Sequence, residues 1–184
     1  MTTANKITLA RIALIPFFVV FALMEAPAWQ MTALILFCLA SFTDFLDGYI
    51  ARKYNQITDF GKFVDPLADK LLVTAALIIF VGQGKMASWR VFIILAREFI
   101  ITSLRNVAAA KGQVMAAAWS GKVKTCIQIA SIIVIFLDSS LLGGSILTPI
   151  AGWAATLITI YSGYDYLHRN WALVAEGATK PKMK

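Results

Sequence analysis

Six apolar runs, at roughly 7–24, 31–50, 60–82, 88–110, 122–138 and 146–167, leave this chain few ways to fold. Each is near the about 20 residues that a helix needs to cross a hydrocarbon core. None shows the sustained apolar–polar alternation of a strand. Composition agrees, with 59% hydrophobic and 15% charged residues and a mean hydropathy of +0.74. A soluble domain is closer to about half apolar and one quarter charged. The expected architecture is an all-α integral membrane protein, a single domain over 1–184 with six transmembrane helices.

The first run has the look of a secretion leader. Lys6 and Arg11 precede the apolar stretch Ile12 to Met24, and Ala26-Pro27-Ala28 resembles a cleavage site. Five further runs follow and need no cleaved leader, so the first is read as a retained helix. Cys38 and Cys126 lie inside apolar runs and are expected to be buried core thiols, too few for a disulfide framework.

The net charge of +7 would suit nucleic acid, but its distribution excludes that partner. With six helices, the N-terminus, the 51–59 and 111–121 connections and the C-terminus share one side. Thirteen lysines and arginines lie there, from Lys6 and Arg11 through Arg52, Lys70, Lys111 and Lys122 to Lys184, while the other side has Lys85 and Arg90. That asymmetry predicts a multi-pass cell-membrane protein with both termini cytoplasmic and a basic tail facing membrane lipids. The outer connections are expected at 25–30, at 82–85, and around Asp138 and Gly143-Gly144. Tyr161, Tyr164, Asp165, Tyr166 and His168 read as an interfacial belt at the end of helix six.

Within this frame the costly residues are acids. A carboxylate at bilayer depth costs roughly 2.5–3.5 kcal/mol on insertion scales. Asp44, Asp47, Asp65 and Asp69 stand in or beside apolar runs. Asp44, Asp47, Gly48 and Ala51 share one helical stripe, and Gly61, Asp65 and Asp69 share another. A short polar turn lets the two stripes face each other. An all-oxygen set suits Mg²⁺ or Mn²⁺, and two ions about 4 Å apart would clamp a phosphate displacement. Gly48, Ala51 and Gly61 leave room for a nucleotide pyrophosphate, and Arg52 is placed to pair with it. The plainer reading pairs these acids with Arg52, Lys62 and Lys70, which suits one or two acids rather than four.

Read together, Asp44-x2-Asp47-Gly48-x2-Ala51-Arg52-x8-Gly61-x3-Asp65-x3-Asp69 resembles the full signature of the CDP-alcohol phosphotransferase family. The resemblance implies a homodimeric six-helix membrane fold with a cytoplasm-facing site. It implies that Asp44, Asp47, Asp65 and Asp69 bind the metals, that Asp69 is also the base, and that Gly48, Arg52 and Thr58 contact the CDP moiety. Asn5 and Thr8 are expected to reach the nucleotide too, with helix capping as the alternative. Four further segments, NKITLARI, DPLADK, AREFIITSLR and GKVKT, resemble the bacterial members that use CDP-diacylglycerol and sn-glycerol 3-phosphate. Such an acceptor brings its own dianion. Arg97, Arg105, Lys122 and Lys124 are the candidate cations for it, with pairing to Glu98 or another acid as the alternative for Arg97 and snorkelling as the alternative for Lys124.

By alternation of the helices, these polar groups make a bowl in the cytoplasmic half, with Arg97 and Glu98 near mid-depth. Two other readings remain at this point. One is the same chemistry with serine, inositol phosphate or phosphatidylglycerol as acceptor. The other is a divalent-cation transporter, which would need polar groups through the whole depth.

Overall fold

The computed structural model describes residues 3–53, 59–110, 118–143 and 146–171. Within its helices, the side chains of 3–6, 44–53, 59–66, 69 and 110 lie outside that description. Among the described residues there are six helices: α1 (Thr3–Leu23), α2 (Pro27–Lys53), α3 (Asp59–Gly82), α4 (Ser88–Ala110), α5 (Trp119–Leu141) and α6 (Leu147–Arg169). Connections this short between helices this long force successive helices to alternate in direction.

Two boundaries and the burial of one tyrosine differ from the sequence reading. The helix α2 begins at Pro27, so the connection before it is shorter than 25–30. Proline suits a first helical position, where its missing N–H has no partner to lose. Asp138 lies inside the last turn of α5 rather than marking a turn. Its Oδ2 accepts from the backbone N–H of Thr148 at 2.8 Å and the Thr148 hydroxyl at 2.7 Å, so it tethers the start of α6. Tyr166 is buried at 3% exposure rather than joining the aromatic belt, while Tyr161 and Tyr164 are exposed.

The helices pack in a ring whose order is not that of the chain. The main contacts run α1–α2, α2–α5, α5–α6, α6–α4 and α1–α3, with a thinner seam between α3 and α4. Phe18 of α1, Phe37 of α2, Phe80 of α3 and Phe136 of α5 meet at the centre. Their ring centroids lie 4.9 to 6.0 Å apart at tilted and edge-on angles. Such pairs contribute about 0.5–1.5 kcal/mol each beyond burial. The buried face of α6 is Thr148, Ala151, Gly152, Ala155, Thr156, Thr159, Ser162, Gly163 and Tyr166, small residues on one stripe until the last. Small faces let helix backbones approach closely, which matters where lipid provides no hydrophobic drive.

The exterior is apolar. Phe17, Ile35, Phe92, Phe99, Trp119 and Ile150 are all exposed, whereas Arg11, Gln30, Lys124, Gln128 and Asp138 are buried. Cys38 and Cys126 are exposed free thiols, correcting the core expectation. When both faces of a helix are apolar, an apolar run does not say which face turns inward. By length and composition, one described helix, Trp119–Leu141, is apolar enough to cross a membrane. Among the described residues, the apolar stretches Ile7–Leu23, Pro27–Thr43 and Lys70–Gly82 are shorter.

The end of the bundle away from the site is knitted by side chains. Gln30 Nε2 donates to the carbonyls of Ala22 at 2.9 Å and Met24 at 2.6 Å. Gln83 Nε2 reaches the same Ala22 carbonyl at 2.7 Å, and Lys85 Nζ donates to Gln30 Oε1 at 3.0 Å. Lys85 is positioned by Gly84, whose φ of +68° ends α3 and lets the Lys85 N–H bond the Phe80 carbonyl at 2.9 Å. Burial pushes the Lys85 ammonium below the usual lysine range, and nearby Glu25 opposes that shift.

Candidate functional site

One stripe of α4 supplies most of a polar cavity. Arg97, Ile101 and Arg105 follow at intervals of four, and Glu98 and Thr102 flank them on the same face. Lys70 of α3, Ala118, Gly121, Lys122 and Thr125 at the start of α5, and Tyr166 of α6 complete a cavity of about 260 Å³. Pockets for drug-sized ligands run to about 300–1,000 Å³, so this one suits a small polar molecule. Its residues come from the first half of α3, the middle and second half of α4, the first turns of α5 and the last turns of α6. All lie at the same end of the bundle, by the alternation of the helices.

Arg97 is held firmly. Its Nη1 donates to Glu98 Oε1 at 3.0 Å and its Nη2 to the Ser162 hydroxyl at 2.6 Å. A Cβ added at Gly163 would stand 3.2 Å from Arg97 Cγ, and one at Gly121 would stand 3.8 Å from Nη2. Gly163 therefore makes room for the arginine stem, while a Cβ at Gly121 would only touch the guanidinium. Lys124 Nζ lies 2.5 Å from the same Glu98 Oε1 and is 3% exposed. Lys70 Nζ donates to the Thr102 hydroxyl, which in turn donates to the Glu98 carbonyl at 2.7 Å. Ser120 donates to Asp165 Oδ2 at 2.5 Å, joining the start of α5 to the end of α6.

Of the cations expected at an acceptor phosphate, Arg97, Arg105 and Lys122 line this cavity. Lys124 lines a smaller adjoining cavity with Lys70, Val73, Thr74, Leu95, Glu98 and Gln128. Lys70, Thr102 and Tyr166 are not among the residues expected at the site: Lys70 reads as a partner for the acids and Tyr166 as part of the interfacial belt. Thr102 had a signal, since it shares the α4 stripe of Glu98 and Arg105. Lys70 directly follows Asp69, and its side chain reaches away toward α4.

Thr8 is buried in the first turns of α1, one turn before Arg11, which is fully buried. That position is interior to the helix, so Thr8 does not cap it. The remaining candidates lie outside the described side chains: Asn5 on α1, Asp44, Asp47, Gly48 and Arg52 on α2, and Gly61, Asp65 and Asp69 on α3. Thr58 lies outside the described residues altogether. The backbone is helical through both acidic pairs, in α2 and in α3. Among the described residues no three His, Cys, Asp or Glu side chains gather as a metal site. His168 stacks on Tyr164 at 5.9 Å, on the exposed side of α6.

Comparison with known proteins identifies the family. A family profile described as CDP-alcohol phosphatidyltransferase matches residues 1–161. A Bacillus subtilis protein named CDP-diacylglycerol–glycerol-3-phosphate 3-phosphatidyltransferase is 45% identical, over 91% of this chain and 94% of its own length. A Rickettsia bellii protein of the same name is 38% identical over 88% and 91%, and one from Salmonella typhimurium is 41% identical over 68% and 71%. The chain belongs to the CDP-alcohol phosphatidyltransferase family.

Proposed function

We propose that this protein transfers the phosphatidyl group of CDP-diacylglycerol to sn-glycerol 3-phosphate, giving phosphatidylglycerol phosphate and CMP. The observation that carries the reading is the cavity lined by Lys70, Arg97, Arg105 and Lys122, at the end of the bundle that carries the paired aspartates. A phosphate dianion on the acceptor calls for such a cluster of cations, whereas zwitterionic serine, with one carboxylate and its own ammonium, does not. The names of the relatives support the same substrates.

Asp44, Asp47, Asp65 and Asp69 form an all-carboxylate donor set on two helical backbones, which fits hard divalent ions, Mg²⁺ or Mn²⁺. Two such ions would supply charge neutralisation at the pyrophosphate and the leaving group. Asp69 takes the proton from the C1 hydroxyl of the acceptor. That oxygen bonds to the phosphorus bearing diacylglycerol, and the bond from this phosphorus to CMP breaks. Gly48, Arg52, Thr58, Gly61, Asn5 and Thr8 hold the CDP moiety. Arg105 and Lys122, with Arg97 and Lys124 behind them, hold the acceptor phosphate.

The same proposal takes the six helices as membrane spans, with the polar end and both termini in the cytoplasm, and the working unit as a homodimer. Apolar exteriors on all six helices support the spans. The deciding assay offers purified protein CDP-diacylglycerol with labelled glycerol 3-phosphate, serine or inositol phosphate, with and without divalent ions. Labelled phosphatidylglycerol phosphate from glycerol 3-phosphate alone is expected, lost with chelator and restored by Mg²⁺. Product from serine or inositol phosphate at a comparable rate overturns the acceptor assignment. Asp69→Asn is expected to abolish turnover without unfolding the protein.

A further inference from the structure

A cavity built to hold a phosphate has no use for a carboxylate in its wall, yet Glu98 stands there, shared by the polar cavity and its smaller neighbour. Only one of its oxygens is taken. Oε1 accepts from both Arg97 Nη1 and Lys124 Nζ. Oε2 takes no ion pair or hydrogen bond among the described residues, and the side chain keeps 23% exposure. The bonded cations fix the head of the carboxylate, and Arg97 is itself anchored by Ser162 on α6. A bare carboxylate oxygen repels an incoming anion, so its presence makes sense only for a ligand that also brings a hydrogen-bond donor.

We propose that Glu98 is the residue that recognises a hydroxyl of the acceptor. Oε2 accepts a hydrogen bond from the middle hydroxyl of a phosphorylated polyol whose phosphate sits on Arg105 and Lys122. The wall order favours this placement. Arg105 stands toward one end of the α4 stripe and Glu98 toward the other, with Thr102 and its partner Lys70, next in sequence to Asp69, between them. Glu98 therefore determines specificity, selecting polyol phosphates over simple alcohol phosphates. The inference rests on the reaction proposed above.

The test compares two acceptors with CDP-diacylglycerol. One is sn-glycerol 3-phosphate. The other is 3-hydroxypropyl phosphate, which keeps the phosphate and the terminal hydroxyl but lacks the middle one. A hydrogen bond to a charged group is strong enough that the unsubstituted protein should prefer glycerol 3-phosphate by about tenfold or more in kcat/KM. Glu98→Ala also releases Arg97, so kcat/KM should fall for both acceptors, but by about tenfold more for glycerol 3-phosphate than for the deoxy acceptor. Glu98→Gln keeps the shape and guards against a variant that fails to fold, and in it the preference should narrow by about threefold or more. An equal fall for both acceptors means that Glu98 only holds Arg97 and Lys124, and overturns the inference. So does an unchanged preference in either folded variant, or no preference in the unsubstituted protein. Failure of the unsubstituted protein to use either acceptor instead overturns the reaction reading itself.

Discussion

Arg97 shows how much of the site depends on residues that carry no chemistry. Its guanidinium is placed by Glu98 and Ser162, and its stem runs so close to Gly163 that a Cβ there would stand 3.2 Å from Cγ. Gly163→Leu should push Arg97 aside, since overpacking costs about 1–3 kcal/mol. The expected result is a rise of about tenfold in KM for glycerol 3-phosphate with little change for the CDP-lipid, and equal rises would contradict it. Arg105→Ala should show the same asymmetry more strongly, because its side chain faces the cavity directly. Lys124→Met removes one partner of a buried pair and should lower stability by about 3 kcal/mol, read as a clear drop in Tm in micelles. At this scale the sequence is a partial guide. The neighbours Arg97 and Glu98 suggest their own pairing. Lys124 lies 26 residues further on, and nothing in the spacing says that it joins them. Cys126, two residues on from Lys124, turns outward while Lys124 turns inward.

At the level of elements, all six helices were legible, because each carries a long apolar run bounded by polar connections. Their ends were less so. Pro27 starts α2 earlier, and Asp138 is drawn into α5 by the Thr148 groups it serves, a contact that local composition cannot announce. The ties between helix ends were also illegible, since Gln30 and Gln83 read as ordinary turn polars. Gln30→Leu leaves the Met24 carbonyl without this donor and should cost about 1–3 kcal/mol, measured as a loss of thermal stability. Lys85 gives this end a pH dependence. Its pKa is lowered in the fold, so the folded protein sheds that proton before the unfolded chain does. Stability should therefore rise as pH climbs through the lowered value toward 10.5, and Lys85→Met should flatten the rise. A parallel rise in the variant would assign it to other groups.

For the whole molecule, the charge asymmetry gives a direction that labelling can check. In a background with Cys38 and Cys126 replaced by alanine, single cysteines at Lys85 and Lys122 should react with an impermeant maleimide from opposite sides of sealed vesicles. Labelling of both from one side would contradict the six-span arrangement. The ring order itself was not legible, because run length and spacing say nothing about which helices adjoin. That order has a consequence for how the protein is made. The first three helices emerge together and adjoin one another, so they can settle while synthesis continues. By contrast, α4 waits: its broad partner is α6, the last helix, and its seam with α3 is thin. Until α6 arrives, Arg97 lacks Ser162, and a half-made chain leaves that arginine without its second anchor. Chains arrested before α6 should thus be cleared quickly by membrane proteases, with a shorter half-life than chains arrested after α3.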